Sequence, residues 1–74
     1  MQVSYKKLWK LRVDLNMSQS DLRKATGLAP GTMTKIRRNE DISMDAIKRI
    51  CQVCNCNVGD IMDVFPTENA ENNL

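Results

Sequence analysis

Histidine is absent from this 74-residue chain, and with it the side chain that most often serves as a base near neutral pH or as a metal ligand. The sequence holds three glycines and two prolines, and the glycines gather into no loop that could cradle a phosphate. No serine or cysteine has a base in prospect, and the carboxylates fall at caps, in a loop and near the C-terminus, where solvation accounts for them. Catalysis is therefore not expected, and no cofactor or small-molecule substrate is indicated. No run of about 18 apolar residues occurs, so no membrane-spanning helix is expected, and the start carries no signal-peptide pattern. Three cysteines, an odd number in a chain without a secretion signal, argue for free thiols in a reducing, cytoplasmic compartment. Repeats, linkers and strand-period segments are also missing.

Basic residues are missing beyond Arg49. All eleven Lys and Arg lie in residues 1–49 against five acids, a net +6, whereas residues 50–74 carry four acids and no base, a net −4. The overall charge of +2 hides this division. Solvated helix faces could account for some of it, but a polyanionic partner for the basic part is the better reading.

A chain of this size makes one small domain, which buries only about 60% of its unfolded surface and gains from oligomerisation. Its pattern is helical throughout. The first helix is expected over Ser4–Asn16, with Ser4 as N-cap and an apolar stripe of Leu8, Leu11 and Leu15 extended by Tyr5 and Trp9. The two aromatics could stack on bases, but their spacing with Leu8 favours the core and its rim. Met1 to Val3 is read as a short extended arm. Ser43 caps a fourth helix with Ala46, Ile47, Ile50, Cys51 and Cys54 on one face, and Asn55 is its left-handed C-cap. Asn57 and Asp60 open a fifth helix with Val58, Ile61, Met62 and Phe65 apolar, stopped by Pro66. Thr67 to Leu74 is polar and acidic and is read as a disordered tail, so the domain is expected to span residues 1–66.

The most informative stretch lies between, from Ser18 to Ile36. Ser18 is a good N-cap and Asp21 answers it three residues on, a capping box with aspartate in place of the commoner glutamate. A short helix then runs to about Thr26. Gly27 can take the left-handed conformation that ends it, and Leu28 follows as a buried corner. Pro30 suits the first turn of a new helix, where Met33 and Ile36 give one apolar edge. Gly31, Thr32, Thr34, Lys35 and Arg38 are small, polar or basic. This helix is built to touch something other than its own core.

Two helices joined by a short turn, the second polar on its outer face, form the DNA-binding helix-turn-helix. Over residues 4–65 the chain resembles the Cro and phage-repressor type, the XRE family. Gln19, Leu22, Gly27, Leu28, Met33 and Ile36 carry the resemblance, followed by Ile47, Ile50, Cys51 and Cys54, then Val58 and Ile61. Three positions depart from the family pattern. Arg23 stands where a small alanine is usual, Ala29 stands where Ser or Thr often caps the second helix, and the following loop reads Asn39-Glu40-Asp41 where glycine and basic residues are common.

The resemblance implies an all-α, compact five-helix repressor-like domain that binds double-stranded DNA, with the third helix in the major groove. Pro30 and Gly31 would let the backbone approach base edges, while Thr32, Thr34 and Lys35 would carry the polar base contacts; a lysine can donate to guanine N7 and O6. Phosphate contacts are expected from Ser18 and Gln19 at the start of the second helix and from Arg23, Arg37 and Arg38. The family implies a homodimer on a two-fold operator, and Ile61, Met62, Val64 and Phe65, too many apolar residues to bury on one side, form the expected dimer surface. The function expected is transcriptional regulation, most simply repression. Cys51, Cys54 and Cys56 form a C-x2-C-x-C cluster, but zinc would need a fourth ligand, and two of these cysteines occupy apolar positions of the family pattern. No metal site is expected. Two other readings remain open: a protein-interaction module on the same fold, such as an anti-repressor or antitoxin, and a thiol or metal sensor.

Overall fold

Local capping decides where the central helices start and stop. The computed structural model describes residues 2–66, so the expected tail over residues 67–74 lies outside the described residues, as does Met1. Ser18 opens α2 (Gln19–Thr26) with a complete capping box: its hydroxyl accepts from the Asp21 N–H at 3.0 Å and its own N–H donates to the Asp21 carboxylate at 2.9 Å. Gly27 closes the helix at φ 70°, donating to the Arg23 carbonyl. α3 (Pro30–Arg37) starts from Ala29, which supplies no side-chain cap, and has proline in its first turn. α4 (Met44–Cys54) is capped by Ser43, whose hydroxyl accepts from the Ala46 N–H, and ends at Asn55 in the left-handed conformation.

The ends of the chain differ from the sequence expectation. α1 covers only Lys6–Asp14, and Ser4 lies not at its cap but in a strand, β1 (Gln2–Ser4). The position before α1 is Tyr5, which makes no side-chain cap bond. The Ser4 hydroxyl accepts from the Lys6 N–H at a long 3.4 Å, and the Leu8 N–H in the first turn donates to the Ile61 carbonyl at 3.0 Å, so a segment 53 residues away supplies the closer acceptor. At the other end, Leu15 is the C-cap and Asn16 turns to φ 58°. Leu15, at the end of the expected stripe, is 43% exposed while Leu8 is fully buried.

The fifth helix does not form. A single 3-10 turn (Val58–Asp60) is held by Asn57, whose side chain accepts from the Gly59 N–H at 2.8 Å, while the Asp60 carboxylate accepts from the Asn57 N–H. The chain then extends into β2 (Asp63–Phe65), antiparallel to β1 with Val3 opposite Val64. The class is helical as expected, but among the described residues the count is four α-helices and a two-stranded sheet. Val58, Ile61, Met62 and Phe65 have helical spacing, yet the buried pair, Ile61 and Met62, is satisfied by one turn followed by extension. Extension also gives the backbone of residues 2–4 its partners, which a helix could not.

The core draws on β1, all four α-helices and the residues between the 3-10 turn and β2. Tyr5, Leu8, Leu22, Met33, Ile36, Ile50 and Ile61 are fully buried, and Leu28 is the predicted corner at 6% exposure. Burial of each such side chain stabilises the fold by about 1.5–3 kcal/mol. Cys51, Cys54 and Cys56 pack half-buried against this core.

Candidate nucleic-acid interface

The turn between α2 and α3 fixes how the outer face of α3 is presented. Thr26 is buried and its hydroxyl donates to the Leu22 carbonyl at 2.7 Å, closing α2 from within. Arg49 reaches across from α4, where Asp45 holds its Nε at 2.9 Å, and places Nη1 at 3.5 Å from the Thr26 carbonyl. A guanidinium at the carbonyl end of a helix complements the helix dipole. A methyl group on Gly27 would lie 3.2 Å from that same nitrogen and would force φ +70° on an L-residue, so glycine serves both the backbone and the approach of Arg49.

The far end of α3 is held by contacts that the sequence did not suggest. Asn39 adopts φ 57° and its side-chain oxygen accepts from the Tyr5 N–H at 3.2 Å. The Tyr5 hydroxyl donates to the Glu40 carbonyl at 2.7 Å. Burial, then the nearby Asp41 charge, pushes the tyrosine pKa up, so the hydroxyl keeps its proton. The Asn39-Glu40-Asp41 loop is thereby latched to the start of α1. An asparagine just past a helix was a readable left-handed signal; its partner, 34 residues away, was not.

Between these two anchors α3 buries Met33 and Ile36 and exposes the opposite side. Pro30, Gly31, Thr34, Lys35, Arg37 and Arg38 are exposed and Thr32 is half-buried. All five positions expected to face bases thus lie on one short helix and none is fully buried. Lys35 forms no ion pair among the described residues. Arg38 makes a weak one with Glu40 at 3.9 Å, with both side chains largely exposed, a geometry that contributes little to stability. A methyl group added at Gly31 would meet nothing within 4 Å, so nothing inside the protein requires glycine there.

The residues expected to meet phosphate are distributed less simply. Gln19, Ser20, Arg23, Pro30, Met33, Thr34 and Arg37 line an open cavity of about 280 Å³ where α2 meets α3. Arg23 stands in the place of the usual small residue, half-buried at the rim of this cavity. Ser18, however, has both its hydroxyl and its N–H committed to Asp21. Those bonds, the backbone one foremost, hold the Asp21 carboxyl below the usual carboxylate range. The first-turn donors without an intrahelical acceptor are instead the N–H groups of Gln19 and Ser20, and Ser20 was not singled out from sequence. Arg37 donates through Nη1 to the Gln19 side-chain oxygen at 3.1 Å and through Nη2 to the Thr34 hydroxyl at 3.4 Å, while Thr34 donates to the Pro30 carbonyl at 3.2 Å.

The expected dimer surface is corrected in part. Ile61 is fully buried and Met62 is 8% exposed, both in the protomer's own core, whereas Val64 and Phe65 are 56% and 41% exposed on β2. Once the fifth helix is replaced by a turn and a strand, the four residues no longer share a face.

Among the described residues no helix is long and apolar enough to cross a membrane, and no three His, Cys, Asp or Glu side chains gather into a group that could hold a metal ion. All three thiols are free. Burial raises the pKa of Cys54, and burial, followed by Cys51 and Cys54 nearby, pushes that of Cys56 up to about 11.

Comparison with known proteins agrees with this geometry. Residues 7–67 match the family model of the Cro/C1-type HTH DNA-binding domain. The chain is similar to a crystal structure of the transcriptional regulator VanUg (form II), with 41% identity over 89% of this chain and 88% of that one and a TM-score of 0.85. No curated protein matches.

Proposed function

The chain belongs to the Cro/C1-type helix-turn-helix DNA-binding family, and on that premise we propose that it is a sequence-specific regulator of transcription, acting as a repressor on double-stranded DNA. The observation that carries the proposal is α3. It lies between a turn braced by Arg49 and a loop held by Tyr5, buries Met33 and Ile36, and exposes Thr34 and Lys35 with no acidic partner among the described residues. In this reading α3 enters the major groove, with base edges met by Lys35, Thr34, Thr32 and the backbone at Pro30 and Gly31. Phosphates are met by the Gln19 and Ser20 N–H groups, the Gln19 amide, Arg23 and Arg38. Similarity to a transcriptional regulator supports the regulatory role and, with it, a cytoplasmic location.

A two-fold operator would bring two copies together with half-sites roughly 34 Å apart. Of the four residues expected to form the dimer surface, Val64 and Phe65 on β2 are exposed and available for a contact between copies. The test is a mobility shift on the DNA upstream of the chain's own gene across a salt series. With about five phosphates neutralised per protomer, log K should fall against log salt with a slope near −5 per protomer. No binding at micromolar protein, or binding insensitive to salt, would reject the DNA reading and favour a protein-interaction module on the same fold.

A further inference from the structure

Arg37 was expected to be one more phosphate contact, and its surroundings give it different work. Its two terminal nitrogens are engaged with two side chains on different helices, Gln19 Oε1 at 3.1 Å and Thr34 Oγ1 at 3.4 Å. Neither partner is charged, so the fork is not neutralised, but its geometry is fixed. Each partner is then left with a defined remainder. A side-chain amide has one oxygen and one NH2 group, so with its oxygen turned to Arg37, Gln19 directs its NH2 donors away from that bond. A hydroxyl has one proton and two lone pairs. Thr34 gives its proton to the Pro30 carbonyl and one lone pair to Arg37, so what it can offer outward is an acceptor and a methyl group.

We propose that Arg37 is a positioning residue that sorts donors from acceptors across the α2–α3 face. It turns the Gln19 NH2 group toward the anionic backbone of DNA and makes Thr34 a reader of base edges that carry an amino group or a methyl group. In the major groove these are adenine N6, cytosine N4 and the thymine methyl; the guanine edge, which presents acceptors only, is disfavoured beside Thr34. This inference rests on α3 lying in the groove, as proposed above. It assigns a specificity to one position and removes Arg37 from the independent phosphate contacts.

The substitutions Arg37→Lys, Arg37→Met and Gln19→Met separate the two roles. Arg37 is exposed, so each variant should fold, with the melting temperature as the control. Binding is measured on the selected site, on sites with each base pair replaced in turn, and over a salt series. Arg37→Lys keeps the charge and loses the fork. It is expected to leave the salt slope unchanged yet let guanine into the position beside Thr34, because a hydroxyl no longer held by the guanidinium can turn its proton from the Pro30 carbonyl toward the base. Arg37→Met should weaken cognate binding on the order of tenfold in the wild-type background but less than threefold in Gln19→Met, since the pair acts as one unit. If Arg37→Lys restores both affinity and base preference, or if the Arg37→Met and Gln19→Met losses multiply, Arg37 is a plain phosphate contact and the inference fails while DNA binding stands. If the wild-type chain selects no sequence at all, the groove reading fails and this inference with it.

Discussion

Replacing Gly31 by alanine should move stability and DNA binding in opposite directions. Gly31 sits in the first turn of α3, and an added methyl group has open space for 4 Å. Alanine therefore costs nothing in packing and removes conformational freedom from the unfolded chain, a gain of about 0.4–1 kcal/mol. For a domain of this size each kcal/mol raises the melting temperature by about 4–8 °C, so the variant should melt a few degrees higher. The same methyl group would stand between the α3 backbone and the base edges, if the helix approaches DNA as closely as its small first turn allows. Displacing the helix by part of an ångström lengthens every base contact, and losing one good contact costs about 1–3 kcal/mol. Thermal unfolding by circular dichroism and titration of a fluorescent duplex on the same preparation would read both quantities. Affinity that stays the same or rises with the melting temperature would refute the close approach, because glycine would then have no role inside the protein or outside it.

Three further outcomes follow from the fold. Tyr5→Phe should destabilise by about 1–3 kcal/mol, because it leaves the Glu40 carbonyl without its donor at a fully buried ring; an unchanged urea midpoint would mean that the loop after α3 is not latched there. Ile61→Ala should cost about 2–5 kcal/mol whatever the protein concentration, as expected of a side chain in the protomer core, whereas a loss that vanishes on dilution would return Ile61 to a contact between copies. Cys56 holds its proton more tightly when folded, with a pKa pushed up to about 11 from 9.0, so its contribution is complete below about pH 9 and is lost as the pH rises through about 11. Denaturant unfolding under reducing conditions should show stability falling over that interval, and Cys56→Ala should flatten the fall.

What could be read from the sequence was local. Ser18 with Asp21, Gly27, Pro30, Ser43 and Asn55 each act on a backbone group within a few residues, and each stands where those rules put it. The helix-turn-helix is built almost wholly from such signals. The errors fall where the deciding partner is remote. Ser4 has the chemistry of an N-cap, but its hydroxyl meets only the Lys6 N–H at 3.4 Å, while Ile61 supplies the closer acceptor to the first turn of α1 and Ser4 pairs with Asp63 in the sheet. Residues 58–65 carry helical periodicity, yet two buried side chains and a strand partner at residues 2–4 favour a turn and extension.

The candidate site divides in the same way. The exposed face of α3 follows from the spacing of Met33 and Ile36, so Thr34, Lys35 and Arg38 were legible as outward residues. The bond from Arg37 to Gln19, spanning 18 residues, and the Tyr5 latch depend on how the helices cross. No propensity encodes that crossing.

The most direct measurement is the base preference of Lys35→Ala, set against Arg38→Ala on the same randomised duplexes. Lys35 is exposed and without an ion pair among the described residues, so its removal should leave the melting temperature within a few degrees. It should weaken binding to the selected site by about 1–3 kcal/mol and blur preference at one base pair. Arg38→Ala should weaken selected and random DNA by similar factors and reduce the salt slope by about one. A Lys35→Ala protein that melts many degrees lower while keeping its base preference intact would show that α3 does not read the groove.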